Sequence, residues 1–191
     1  MPAADPVAAQ RLRVLAHPLR LRLLSLLTAR ALSGSEAARE LGDTQANVSY
    51  HLRRLHAAGL VEPVHDRFQR GRTRRYRHDP ASGERLHASW STDQQVLAAA
   101  LAGELQRRAG QHRPGSAGAF TDAELWVTPD AWARALAAAR QVGVELHRHA
   151  VAPGTTGALP VSATVSLFEM NPATSVGHPA RPVGGDQQGA R

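Results

Sequence analysis

Residues 33–44 constrain the fold of this chain more than any other stretch. Ser33-Gly34-Ser35-Glu36 has the form of a capping box, in which the Ser33 side chain accepts from a backbone N–H three residues on and Glu36 reaches back to the cap. The short helix it opens, EAAREL, has to stop at Gly42, and Asp43-Thr44 caps a second helix at once. Two helices joined by so tight a turn form a helix-turn-helix. The second one, QANVSYHLRRLHAAG, places Val48, Leu52 and Leu55 on one face and ends at Gly59.

The flanks supply what such a pair needs for a core. Upstream, His17-Pro18 opens LRLRLLSLLTARAL, where Leu19, Leu23, Leu26, Leu27 and Ala31 return at helical spacing, with Pro18 in the first turn where its missing N–H costs nothing. Downstream, LVEPVHDR and RTRRYRH flank Phe68-Gln69-Arg70-Gly71 and read as a β-hairpin, the candidate wing. Asp79-Pro80-Ala81-Ser82-Gly83 breaks the pattern. A long helix is then predicted from about Glu84 to Arg108, with Leu86, Trp90, Leu97, Leu101 and Leu105 in a narrow apolar stripe. Gly110 to Asp122 reads as a flexible linker. Beyond it, AELWVT is expected as a strand, Thr128-Pro129-Asp130 as the cap of a helix to about Arg148, and VSATVSLFEM as a second strand. Val161, Ala163, Val165 and Leu167 share one face of that strand.

The expected fold class is therefore mainly α with small β. A winged helix-turn-helix at 1–80 is followed by a long dimerisation helix at 81–109, a linker at 110–122, a β-α-β dimerisation or sensing unit at 123–170 and a disordered tail at 171–191. Two strands and one helix cannot cover both faces of their own sheet, which predicts that they join a partner subunit.

Charge points to the partner of the first part. Residues 1–78 hold fourteen Arg and six acids, a net of +8, whereas residues 79–191 hold nine Arg and ten acids, a net of −1. Every basic residue is Arg and none is Lys; biased codon usage would explain that choice but not the clustering. Between Val64 and His78 stand Arg67, Arg70, Arg72, Arg74, Arg75 and Arg77 against Asp66 alone. Such a run directly after a capped helix-turn-helix predicts a polyanion, and double-stranded DNA fits best.

On that reading the second helix enters the major groove. Its inward residues leave Thr44, Gln45, Asn47, Ser49, Tyr50, Arg53 and Arg54 facing outward or sideways. Gln45 and Asn47 carry the donor and acceptor that match adenine, Thr44 at the positive helix end suits a phosphate, and Arg53 and Arg54 suit backbone or groove edge. Arg70, Arg72, Arg74 and Arg75 of the wing would reach the minor groove or its phosphates. A solvated polar helix face is the plainer reading of the first set, and the adjoining basic wing weighs against it.

Residues 12–78 resemble the winged helix of the ArsR/SmtB class of bacterial repressors. LAHPLRLRLLSLL, SGSEAARELGDTQANVSYHLRRLHAAGLVEP and GRTRRYRH match that family's opening helix, helix-turn-helix and wing. The resemblance implies a homodimer on an imperfect palindrome, repression, and release by a ligand or metal. By position it places Gln45, Asn47, Ser49 and Tyr50 where such proteins read bases, although the family often has His where Tyr50 stands.

The chain departs from the family's metal sensors. It has no cysteine, and the helix at 84–108 lacks the paired Asp/His and His/Glu pattern of zinc sensors. His147 and His149, two apart on a helix, would point to different faces. No metal and no cofactor are therefore expected. His17, His51 and His56 read as packing or DNA-flanking residues, and Trp90, Trp126 and Trp132 as core residues, with an effector pocket as their alternative use. No glycine-rich phosphate loop or nucleophile elbow points to an enzyme. A winged helix that binds protein is the remaining alternative. Lacking a long apolar run or a secretory start, the chain is expected to be cytoplasmic and off the membrane.

Overall fold

The computed structural model describes residues 6–64, 74–78 and 92–172. The sequence ahead of His17 announces no element, yet helix α1 spans Pro6–Leu15 and buries Leu12, Val14 and Leu15. Arg11 and Arg13 alternate with those apolar residues and mask the helical stripe. Helix α2, Pro18–Ala29, begins as expected, and its cap is His17: the imidazole Nδ1 accepts from the Leu19 N–H at 3.2 Å.

Arg30 is extended and leads into a two-residue strand β1, Leu32–Ser33. Ser33 ends β1 and also caps helix α3, Gly34–Leu41, through the full capping box. The Glu36 N–H donates to Ser33 Oγ at 3.3 Å, and Glu36 Oε2 accepts from the Ser33 N–H at 2.7 Å. Gly42 closes α3 in the left-handed region at φ 65°, where a side chain would be strained. Thr44 caps helix α4, Gln45–Ala57, by accepting the Asn47 N–H at 3.2 Å. A Ser33→Ala chain is expected to lose about 1 kcal/mol in urea unfolding; an unchanged midpoint would show that the box contributes nothing.

The hairpin is formed by β2, Val61–Val64, and β3, Arg75–His78, paired antiparallel with Pro63 opposite Tyr76. Its loop lies outside the described residues. β1 pairs with the other edge of β3, Leu32 opposite Tyr76, so the sheet has three strands in the order β1-β3-β2. As an edge strand β2 tolerates Pro63, which has no N–H for a second neighbour.

The core lies where α2, α3, α4 and this sheet meet. Leu23, Leu27, Val48, Leu52, Leu55, Leu60 and Val61 are essentially inaccessible to solvent, and Leu32, Ala37, Ala38 and Tyr76 complete the cluster. Helix α5, Thr92–Ala109, packs against α1 and α2, with Leu97 reaching the core. Residues 79–91, including the expected first turns of this helix with Leu86 and Trp90, lie outside the described residues. Glu104 on α5 is buried and accepts from Arg22 Nε at 2.8 Å and Arg107 Nε at 2.9 Å. Burial alone would raise its carboxyl, but the bonds from Arg107 and Arg22 outweigh that and hold it below the usual range.

In the C-terminal part the helix forms and the strands do not. Helix α6, Pro129–Arg148, is capped by Thr128, which accepts the Ala131 N–H at 3.3 Å. Residues 123–128 and 161–170 contain no strand, so the β-α-β expectation is corrected to a helix flanked by irregular chain. A strand needs a ladder partner, and the described residues bring none alongside either segment. Instead residues 163–169 lie along the helices: Arg108 Nη2 donates to Thr164 Oγ1 at 3.1 Å and Trp132 Nε1 to Glu169 Oε1 at 2.9 Å. Val161, Val165 and Leu167 remain exposed, and residues 173–191 of the expected tail lie outside the described residues.

Candidate nucleic-acid interface

Burial of Val48, Leu52 and Leu55 fixes the rotation of α4, and with it the outward face. Gln45, Asn47, Tyr50, Arg53 and Arg54 are exposed on that face, with Thr44 at its start. Tyr50 is 49% accessible and meets the His51 ring edge-on at a centroid distance of 5.1 Å. Ser49 differs from these. It is half-buried, and its Oγ lies 2.7 Å from where a Cβ on Gly34 would stand. Glycine at 34 thus permits the close approach of α3 and α4, with Ser49 at the contact between them.

The turn before α4 is tied to the helix. Asp43 Oδ1 accepts from the Thr44 N–H at 2.6 Å, and Asn47 Nδ2 donates to both Asp43 oxygens at 3.1 Å. Of the wing arginines, Arg70 and Arg72 lie outside the described residues. Arg74 is exposed where β3 begins. Arg75 Nη2 donates to Glu36 Oε1 at 2.6 Å, which ties β3 to the first turn of α3. The Glu36 carboxyl sits below its ordinary range: the Ser33 backbone bond is the main cause, burial opposes it, and the Ser33 hydroxyl and Arg75 add to it.

Behind the face lies a cluster that residue type alone does not reveal. The ring of His17, the cap of α2, stands 4.5 Å from that of His51 on α4. Arg20 Nη2 donates to Arg13 O at 3.3 Å, and its guanidinium is within electrostatic range of Arg54 and Tyr50. Burial lowers the affinity of both histidines for a proton, and Arg20 adds to it in each case. His17 and His51 are far apart in the chain, so this cluster becomes legible only once α2 and α4 are packed.

Residues 15–64 match a family model described as a helix-turn-helix domain. That span runs from the end of α1 through β2, and the arginine-rich β3 follows it. Residues 15–64 of this chain are thus a helix-turn-helix domain. No curated protein matches it. Among solved structures, a possible transcriptional regulator for arsenical resistance is 31% identical, with a TM-score of 0.33, covering 55% of this chain and 97% of its own. M. tuberculosis Rv0081 is 30% identical, with a TM-score of 0.37, covering 56% of this chain and 99% of its own. The helix-turn-helix domain supports a DNA-binding transcriptional regulator.

Two further expectations concerned ligands. Among the described residues no group of three or more His, Asp or Glu side chains is placed to hold a metal. His147 Nδ1 instead meets Gly143 O at 2.7 Å and His149 Nδ1 meets Glu145 O at 3.0 Å. A cleft of about 420 Å3 opens between β2, β3 and the C-terminal end of α6, lined by Thr28, Glu62, Arg77, His78, His147 and Arg148 among others. Neither Trp126 nor Trp132 lines it, and Trp90 lies outside the described residues. No helix among the described residues is long and apolar enough to cross a membrane.

Proposed function

We propose that the chain acts in the cytoplasm as a homodimer that binds an imperfect palindrome sequence-specifically and represses transcription. The observation that carries this reading is the exposed polar face of α4, locked in rotation by its buried leucines and followed by an arginine-rich wing strand. Gln45, Asn47 and Tyr50 are assigned to base edges, with Ser49 at the groove-side margin. Thr44, Arg53 and Arg54 are assigned to phosphates, and Arg70, Arg72 and Arg74 to the wing contact. Arg75, paired with Glu36, holds the wing strand against α3 beside that contact. No enzymatic step is assigned.

Support for the dimer comes from the exposed Val96 and Leu105 on α5 and from the apolar alternation of residues 161–167, which has no strand partner within the described chain. For a small-molecule effector, the cleft at α6 offers Arg77, His78, His147 and Arg148 against Glu62, a balance that suits an anion.

The test is fluorescence anisotropy with the duplex upstream of the chain's own coding region, across a salt series and beside an unrelated duplex. Tighter binding than the control at every salt concentration is expected. Equal binding would favour a protein partner for the winged helix. Asn47→Ala should cost about 1 to 3 kcal/mol at one base position. Arg74→Ala should weaken all duplexes and flatten the salt slope by about one unit per half-site. Equal losses from both on every duplex would refute this division. Sedimentation showing a monomer at micromolar concentration would remove the palindrome.

A further inference from the structure

The geometry points to Asp43 as a positioning residue that sets which bases Asn47 accepts, by holding one N–H of the Asn47 amide and leaving its other N–H and its carbonyl oxygen for the groove. This inference rests on the assignment of Asn47 to a base edge.

A carboxylate at neutral pH only accepts hydrogen bonds, so the Asn47 group facing it has to be the NH2. Nδ2 stands 3.1 Å from each Asp43 oxygen, and Oδ1, on the other arm of the amide, is turned away. Asp43 is itself held, because its Oδ1 also accepts the Thr44 N–H at 2.6 Å, and it is half-buried in the turn. Asn47 in turn donates its backbone N–H to Thr44 Oγ1 at 3.2 Å. Amide and carboxylate are therefore both anchored to the start of α4, and turning the amide over would set its oxygen against a carboxylate.

An unconstrained Asn offers a donor and an acceptor, the pair that matches adenine N7 and N6. Seen from Nδ2 the two Asp43 oxygens lie close together, so they share one N–H of the amide, and the second N–H and Oδ1 remain for a base. That donor and acceptor are the pair that matches adenine N7 and N6, and the tether holds them in one orientation. The position read by Asn47 is thus expected to favour adenine more sharply than an amide free to turn over would.

The experiment is competition binding of the full chain with duplexes carrying each of the four bases at every position of the operator half-site. The wild type should favour A over the other three bases at one position by on the order of tenfold. Asn47→Ala should level that position. Asp43→Ala should erode the same preference while leaving the order of bases elsewhere unchanged, and should have no further effect at that position in the Asn47→Ala background. Asp43→Asn keeps an acceptor for the Thr44 N–H and preserves the turn; its amide can donate to Asn47 and should erode the preference at least as far. If Asn47→Ala changes no position, the base assignment of Asn47 falls and this inference falls with it. If Asn47→Ala levels one position but the Asp43 variants leave it intact, or weaken all duplexes equally, only the role of Asp43 is overturned.

Discussion

Leu52→Ala is expected to lower the unfolding free energy by about 2 to 5 kcal/mol, the range for removing a fully buried leucine side chain. Leu52 is 1% accessible, and its Cδ1 reaches to 3.8 Å from where a Cβ on Gly34 would stand. The residue therefore fills the crossing of α3 and α4, where a cavity would loosen the helix-turn-helix itself. A domain of this size has roughly 5 to 15 kcal/mol in total, so the variant stands to lose a large part of its stability and the DNA-binding face along with it. Urea unfolding followed by circular dichroism measures the loss. Tyr50→Ala, on the exposed side two residues earlier, is expected to change stability by about 0.5 kcal/mol or less. Were the two variants equally stable, the rotation of α4 described above would be wrong.

That rotation was legible in the sequence because caps and apolar spacing act locally. Ser33 with Glu36, Gly42, and Thr44 with Asn47 each settle within four residues what the backbone does, and the structure realises all of them. The elements that depend on distant partners were read less well. β1 is only two residues long and exists because β3 has a free edge. The strands expected at 123–128 and 161–170 have the right alternation but no neighbour to pair with, and alternation alone supplies no ladder. Helix α1 was hidden because arginines interrupt its apolar stripe; Arg11 instead bonds Ala58 O at 3.0 Å and steadies the end of α4. The outward residues of α4 followed from residue type and position. Their tethers did not: Asp43 on Asn47, Glu36 on Arg75 and His17 on His51 are contacts that only packing reveals.

The last of these tethers is expected to make the fold sensitive to acid. His17 caps α2 through Nδ1, a role that needs a lone pair, and an imidazolium has none to offer. A positive charge there would also stand at the positive end of the helix. His51 is buried with an Nδ1 that has no hydrogen-bond partner among the described residues. Around the pair, α2 contributes Arg20, α4 contributes Tyr50, and the preceding turn contributes Asp43, whose charge is the lone influence favouring protonated His51. Burial is the larger cause in both histidines, and Arg20 reinforces it, so both bind a proton less readily folded than unfolded. As pH falls through the ordinary imidazole value of about 6.5, the unfolded chain takes up protons first. The folded state is then drawn toward unfolding. The stabilisation these two groups contribute is present above that value and is lost as pH drops toward their folded values. Thermal unfolding from pH 8 to pH 5 should show the midpoint falling on the acid side, and DNA binding should weaken over the same interval as the start of α2 loosens behind the recognition helix. His17→Asn retains a side chain that caps helices well and removes one titration, and His51→Leu removes the other. The doubly substituted chain should have a flatter acid limb than the wild type. An identical acid limb in both would place the sensitivity elsewhere, in the carboxylates of Glu36 and Glu104, whose lowered values predict losses only at more acidic pH.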